Sequence, residues 1–395
     1  MVIECKNCLY TTNHPLGLTI NEDGICSGCE IHEEKNILDW DNRWTKLKGI
    51  ISQYKALNNK FYDCILPVTG GQDSYFITYL VKEKLGLNPL LVTYNKYFNT
   101  PLGIRNLSNL RIKFDCDLVL QNINPISVQN ISRTTLREFG SIYWHCLAGQ
   151  SVFPVQTAVR YGIPLIIWGA HQGVEQVGMF SHEHEVEMTR RYRKEHDLLG
   201  READDLLSTF DTINEDDIWQ YRYPDDYDLS QVGVRGIYLS NFVRWDPKSQ
   251  HELMVKKFDY WSAPFNRTFD TYDHVDCYNY MGLHDYIKYR KHGYSKVVDH
   301  ACREIRHGRL NRASAIRLID YYQSQLPKNV DLYCKWMGIE EHGLEYLIDR
   351  HSRYSLKKVD NILPKSSKKL VFTYNSEVTL NKKRGYITVG RGYPK

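Results

Sequence analysis

Residues 61–76 read FYDCILPVTGGQDSYF. A short apolar run ends in two glycines, and an acid, a hydroxyl and the start of a helix follow at once. Glycines let backbone N–H groups approach oxygens closely, and the dipole of the following helix favours negative charge at its start. The stretch is therefore a candidate anion-binding turn. A glycine turn before an Asp/Ser-capped helix can also serve the fold alone, and that reading stands beside it.

The flanking pattern decides the fold. DCILPV (63–68) reads as a buried strand and DSYFITYLVKEKLG (73–86) as an amphipathic helix closed by Gly86. PLLVTY (89–94) is a second strand, and a helical segment lies around PLGIRNLSNLRIKF. CDLVLQ (116–121) is a third strand, SVFPVQTAVRYG (151–162) a helix broken near its first turn by Pro154, and IPLIIWG (163–169) a fourth strand. Strands alternating with helices predict an α/β fold, a parallel sheet with flanking helices. Ligands of such sheets bind at the carboxyl ends of the strands, where Thr69–Ser74, Tyr94–Asn95 and Trp168–Gln172 would converge. Residues 39–57 have helical spacing and lead into this domain. An insertion-like region occupies about 175–250. SKVVDHACREIRHG, NRASAIRLIDYYQSQ and EHGLEYLIDRH follow as helices. The expected domains are 1–38, 39–175, 176–350 and a basic tail, 351–395.

The totals fit a soluble globular protein: 395 residues, 42% hydrophobic, 25% charged, net charge +4. No apolar run is long enough to cross a bilayer and MVIECKNCLY lacks a signal-peptide pattern, so no membrane association and a cytoplasmic location are expected. The small positive charge does not call for a nucleic-acid partner. The 29 tyrosines and 8 tryptophans suit core, interfaces and polar ring-shaped ligands alike.

Four of the ten cysteines form two tight pairs, CKNC (5–8) and CSGC (26–29). Two residues between thiolates let one turn aim both sulfurs at one ion, so Cys5, Cys8, Cys26 and Cys29 are expected to bind structural Zn2+. Gly28 is expected at positive φ within the second turn. GICSG (24–28) has the outline of a glutaminase nucleophile elbow, but nothing before it supplies a sheet core, so Cys26 is read as a metal ligand. The six other cysteines are scattered, which in a reducing compartment marks small buried hydrophobes. His145 and Cys146 are sequence neighbours, and adjacent helical residues diverge by about 100°, so packing is expected rather than a nucleophile pair. WQYRYPDDYD (219–228) suits either stacking on a sugar or an interface. SHEHEVE lacks metal-binding spacing and reads as a polar helix or loop.

The Gly-Lys of a P-loop occurs nowhere in the chain, and no dinucleotide fingerprint lies at 70–75. TGGQDS (69–74) instead resembles the S-G-G-x-D-S signature of the PP-loop ATP pyrophosphatases, with Thr69 in place of the usual serine. Chemistry fits: the amides of Gly70, Gly71, Gln72, Asp73 and Ser74 would cradle pyrophosphate, with the Thr69 and Ser74 hydroxyls as further donors. An acid beside phosphate needs a cation, so Asp73 is expected to hold Mg2+.

The combination of the two CxxC pairs with PVTGGQDSYF, LLVTYN, WHCLAGQ, IIWGAHQG and REIRHGRLNRASAIRLI is similar to the N-acetyl sugar amidotransferase family, over roughly residues 3 to 350. The resemblance implies an adenine-nucleotide alpha-hydrolase-like fold with an N-terminal zinc ribbon and a helical C-terminal region. It implies an ATP-dependent enzyme of bacterial surface-polysaccharide biosynthesis. Its substrate would be a sugar, often nucleotide-linked or a nonulosonic acid, whose acetamido group becomes acetamidino, with release of AMP and pyrophosphate. Ammonia would come from a separate glutaminase through an ammonia-conducting partner. On this reading Asp73 and Ser74 are catalytic; Thr93, Tyr94, Asn95 and Gly169 join the loop in holding ATP; and His171, Gln172 and Glu175 meet substrate or metal. Two alternatives stay open: PP-loop sulfur transfer to tRNA, and a non-catalytic zinc-ribbon protein that binds nucleic acid.

Overall fold

The computed structural model describes residues 2–57, 61–271 and 278–352. Strands β1 (Cys64–Pro67), β2 (Pro89–Tyr94), β3 (Leu118–Gln121) and β4 (Leu165–Trp168) lie within the apolar runs quoted above. A fifth strand, β5 (Arg235–Tyr238), comes from the segment read as an insertion. The five form one parallel sheet in the order β3-β2-β1-β4-β5. The sheet domain thus extends past the boundary expected at residue 175. RGIY is too short and too polar at its start to announce a buried strand. From β1 the chain steps outward through β2 to β3, then crosses back to place β4 on the other side. The crevice of such a sheet opens at that reversal, between the ends of β1 and β4.

Among the described residues six α-helices precede β4: α1 (Ser27–Glu34), α2 (Trp40–Leu57), α3 (Gln72–Tyr79), α4 (Pro101–Phe114), α5 (Pro125–Phe139) and α6 (Trp144–Tyr161). A π-helical turn, Leu80–Lys84, extends α3, and Gly86 closes it at φ 63°. Thr100 caps α4 by accepting a hydrogen bond from the Gly103 amide at 3.0 Å, with Pro101 in the first turn. One face of the sheet buries Leu66 and Leu91 with Tyr75, Ile77 and Leu110 of α3 and α4. The other buries Ile65, Leu90, Val92 and Ile166 beneath Phe153, Val155 and Ala158 of α6.

Helix α6 corrects the expected break at Pro154. It runs from Trp144 to Tyr161 with Pro154 in its interior. An interior proline costs a helix about 3 kcal/mol; here the helix is held on both sides by buried packing against the sheet and the C-terminal helices. The Tyr94 ring occupies the space that a side chain at Gly149 would need, so α6 lies close on β2.

The C-terminal half is helical, with Met281–His292, Lys296–Arg306, Arg312–Gln323, Val330–Met337 and Glu341–His351. The Lys296–Arg306 helix turns Val298, Ala301 and Cys302 onto the cysteine ribbon. The expected basic tail lies outside the described residues from residue 353 on. Among the described residues no helix is long and apolar enough to cross a membrane.

Candidate active site

The glycine turn sits at the reversal of the sheet. Gly70 has φ 86°, and a Cβ there would lie 3.0 Å from the Gly103 carbonyl oxygen and 3.1 Å from the Leu107 nitrogen. Glycine is therefore required twice, for the left-handed backbone and for the close approach of α4. The Ser74 hydroxyl accepts the Thr69 amide at 2.9 Å and lies 3.5 Å from the Thr69 hydroxyl, and the Gly71 amide reaches Thr69 Oγ1 at 3.4 Å. The two hydroxyls expected to grip phosphate thus also close the turn. Gln72 is buried and its side-chain amide donates to the Asp73 carboxylate. The first amides of α3 lie outside the helical ladder, as at any helix start.

The turn looks into two clefts. Thr69 opens on the first, lined by Thr93, Tyr94, Asn95, Lys96, Asn99 and the start of α4. Asn95 organises its wall: its side-chain Oδ1 accepts the Tyr97 amide at 3.0 Å and the Asn99 side-chain NH2 at 2.7 Å, while its own NH2 donates to Asn122 Oδ1 at 2.6 Å. Tyr97 and Phe98 hold positive φ, so this loop is a strained, specified shape. The Tyr94 hydroxyl points into the core, to His145 Nδ1 at 3.0 Å and the Tyr221 hydroxyl at 2.8 Å.

Asp73 opens on the second cleft, which gathers Gln172, Glu175, Gln176, Tyr10 of the ribbon, Lys296, Asp299, His300, Arg303 and Arg306 of the Lys296–Arg306 helix, and His307 at the end of that helix. Asp299 accepts from the Tyr10 hydroxyl and Lys288 at 2.8 Å and from Gln176 at 2.7 Å. Burial would raise its carboxyl, but Lys288 and Lys296 hold it well below the usual range. Glu175 is paired with the buried Lys35 and lies 3.6 Å from His182. Burial alone would raise the Glu175 carboxyl; Lys35 against it brings it down to about 2. The helix residues of this cleft escaped notice in the sequence because a polar stripe at helical spacing normally faces water. Their signal was the contrast with the apolar stripe Val297, Val298, Ala301, Cys302.

Gly169 and His171 stand apart from both clefts. A Cβ at Gly169 would lie 3.3 Å from Trp245, so this glycine admits a packed indole. His171 is buried under Phe180, Tyr192 and Tyr238, and burial, then Arg193, lowers it to about 4. The expected divergence of His145 and Cys146 does not hold: Cys146 Sγ lies 3.7 and 3.5 Å from the two ring nitrogens. Nearly equal distances align with neither lone pair, and both residues are buried in the core. Trp219, Gln220, Arg222, Tyr223, Pro224 and Asp228 line a roomier cleft of about 630 Å³ beside β3, whose lining includes no residue of the glycine turn.

Cys5, Cys8, Cys26 and Cys29 are buried, and their sulfurs all lie within 4.8 Å of one another. Cys8 and Cys26 are 3.5 Å apart and Cys5 and Cys29 4.0 Å. A tetrahedral ion with bonds of about 2.3 Å sets sulfurs about 3.8 Å apart, so the donor set fits one metal ion. Gly28 is not at positive φ, contrary to expectation. Space is the reason for it: a Cβ would run into the Arg306 guanidinium and lie 2.7 Å from the Gln176 carbonyl oxygen.

Residues 249–369 match the family described as LPS biosynthesis protein WbpG-like, C-terminal domain. That segment contains the Lys296–Arg306 helix. Over 124 residues the chain is 28% identical to an uncharacterized protein of Methanocaldococcus jannaschii, covering 30% of this chain and 43% of that protein. The chain thus spans less than half the length of the curated relative it matches. Similar solved structures include an NH3-dependent NAD synthetase from Campylobacter jejuni, with TM-score 0.29 and 13% identity over 49% of this chain and 92% of that one. They also include an NMN synthetase from Francisella tularensis, with TM-score 0.29 and 14% identity over 57% and 99%.

Proposed function

We propose that this chain is an ATP-dependent amidotransferase that converts the acetamido group of a sugar to an acetamidino group. The observation that carries the reading is the glycine turn between two clefts, Thr69 facing one and Asp73 the other. ATP lies with its adenosine toward Thr93–Asn95 and its phosphates on the turn, and the sugar occupies the cleft beyond Asp73. The match of residues 249–369 to a family of lipopolysaccharide biosynthesis supports a sugar substrate, because that segment supplies the second cleft's polar wall.

An acetamido carbonyl is a poor electrophile because its nitrogen donates into it. Its oxygen attacks the α-phosphorus of ATP, the bond to the β-phosphate breaks, and pyrophosphate leaves. The resulting O-adenylyl imidate has a good leaving group. Ammonia adds at carbon, the C–O bond breaks, AMP departs and the amidine remains. The chain's part is positioning and charge stabilisation: the turn amides hold the departing phosphates, and Gln172 and the Lys296–Arg306 helix orient the sugar. Asp73, a carboxylate at a helix start beside a phosphate-sized turn, has the donor chemistry to hold Mg2+, which would neutralise the phosphates' charge. Zn2+ in the four-cysteine site is structural, and its ribbon presents Tyr10 to the sugar cleft. The ammonia comes from a separate glutaminase with an ammonia-conducting partner.

Release of AMP and pyrophosphate, measured with acetamido sugars and with tRNA, tests the proposal. Release that depends on an acetamido sugar and ammonium is the expected result. Release only with tRNA and a sulfur donor sinks it.

A further inference from the structure

The roomier cleft beside β3 has no part in the proposed reaction. Its volume of about 630 Å³ falls within the range of about 300–1,000 Å³ typical of small-molecule sites. It lies across the sheet from the first cleft. Gly103, Ile104 and Leu107 of α4 bound the first, Phe153, Gln156 and Arg160 of α6 bound this one, and α4 and α6 pack on opposite faces. The facing wall, residues 219–223, is tied down. Gln156 donates to the carbonyl oxygens of Gln220 at 3.2 Å and Arg222 at 2.8 Å, and the Tyr221 hydroxyl lies 2.8 Å from that of Tyr94. The Arg222 guanidinium is held by Asp204 at 2.6 Å and Glu215 at 2.9 Å. The cleft is thus formed before any ligand arrives, which lowers the cost of binding one.

The groups that the fold leaves unspent in this cleft select the ligand. Trp219 is 55% exposed, and of the eight tryptophans it alone makes no ring or cation contact among the described residues. The Arg160 guanidinium, the Asp228 carboxylate and the Gln121 side-chain amide line the same cleft, and among the described residues none of them makes a hydrogen bond or ion pair. A ligand must therefore bring an acceptor for Arg160, a donor for Asp228 and an apolar face for Trp219. An inorganic anion satisfies Arg160 and is repelled by Asp228, whereas a wholly apolar molecule takes water from both charges and replaces none of it. Hydroxyl groups donate and accept at once. A sugar ring carries them around a face of C–H bonds, which suits an aromatic side chain rimmed by polar groups.

We propose that this cleft is a second saccharide site, separate from the cleft beyond Asp73. Trp219 packs against the C–H face of a sugar ring, Asp228 accepts hydrogen bonds from hydroxyl groups, and Arg160 donates to hydroxyl or ring oxygens. These contacts need neither ATP nor turnover, so the site stands apart from the proposed reaction.

Titrations followed by saturation-transfer NMR on the full chain without ATP test this. Maltose, lactose and N,N′-diacetylchitobiose are the probes, and glycerol controls for hydroxyl groups without a ring. Saturable binding of at least one disaccharide, and none of glycerol, is expected. Trp219→Ala should weaken it about tenfold, through loss of the aromatic face. Asp228→Asn keeps the shape, removes the charge and should weaken it about fivefold. Both side chains are exposed, so the Tm of each variant should stay that of the parent. Tyr346→Ala, on a 68% exposed residue that lines none of the three clefts, should leave binding unchanged. Binding of the acetamido disaccharide alone, at parent affinity in both Trp219→Ala and Asp228→Asn, belongs to the cleft beyond Asp73; it overturns this site and leaves the proposed function standing. Absence of binding for all three disaccharides also overturns the site and gives its aromatic wall to a protein interface.

Discussion

Arg306 Nη2 lies 3.6 Å from Cys26 Sγ, while Nη1 of the same guanidinium donates to the Gln176 carbonyl at 2.7 Å. One side chain therefore ties the cysteine site to the segment that follows β4 and to the wall of the second cleft. Gly28 leaves the room for this contact. Gly28→Ala places a methyl group against the guanidinium and a backbone carbonyl that cannot rotate away. Overpacking of this kind costs about 1–3 kcal/mol. We expect a lower Tm and a raised KM for the sugar, with KM for ATP little changed. A Tm within error of the parent would show that the ribbon yields freely at this contact.

The metal site makes a second expectation. A ribbon of this size lacks the core to fold unaided, and an ion held by its four thiolates would add its binding free energy to folding. Arg312 donates to the Cys5 and Cys8 carbonyl oxygens, which fastens the first CxxC turn to the helical region. One zinc per chain is expected by elemental analysis, and none in a Cys5→Ala, Cys26→Ala double variant. That variant should lose sugar binding before nucleotide binding, because Tyr10 moves with the ribbon. Equal zinc in both proteins would exclude these thiols as ligands.

Asp73→Asn keeps the shape of the turn and removes the charge that a magnesium pyrophosphate complex requires. Release of AMP should fall by at least about a hundredfold, of the size seen when one preorganised electrostatic contact is removed. The melting curve should stay that of the parent. Near-normal turnover would return the turn to a purely structural role.

Glu175 sets an acid limit on stability. Its carboxyl lies at about 2 in the fold against an ordinary value of 4.5. A depressed carboxylate contributes stability that is full above the unfolded value and is lost as pH falls through the folded one. The window is pH 4.5 down to 2, and the shift corresponds to about 3 kcal/mol. Denaturant unfolding across that window should show a shallower pH slope for Glu175→Gln than for the parent, together with lower stability at pH 7 from the unpaired Lys35. Parallel pH profiles would mean that Lys35 and Glu175 are not coupled.

Four strands and the glycine turn were legible because each rests on a local rule: a short apolar run, or a backbone position that only glycine fills. The capping of α5 was equally local, with Asn124 and Pro125 at its start and Gly140 at φ 62° at its end, yet polar residues along it hid its periodicity. β5 was illegible because four residues gain strand character only by pairing with β4. The second cleft was illegible for a related reason. Tyr10, Asp73 and Arg303 are far apart in sequence, and only the docking of the ribbon against the Lys296–Arg306 helix turns a polar stripe into a wall. Gly28 shows the converse: its type was noticed, but its reason, room for Arg306, is tertiary.

The nitrogen source gives the last expectation. Ammonium at neutral pH is mostly protonated and has no lone pair to attack an imidate carbon, so delivery of neutral ammonia into a closed site is favoured over capture from water. Cys26, the residue in the outline of a glutaminase elbow, has its sulfur 3.5 Å from Cys8 Sγ within the four-cysteine cluster. A thiolate held by a metal ion is not a free nucleophile for glutamine. On the proposed function, this chain with ATP, Mg2+ and an acetamido sugar should therefore form the amidine from high ammonium and not from glutamine. The ammonium-driven rate should rise with pH as the free-base fraction grows. Adding the cognate glutaminase should confer use of glutamine and remove most of that pH dependence, since ammonia then passes from site to site. Glutamine hydrolysis by the purified chain, coupled to amidine formation and lost in a Cys26→Ser variant that still makes amidine from ammonium, would falsify the partner assignment and restore Cys26 as a nucleophile.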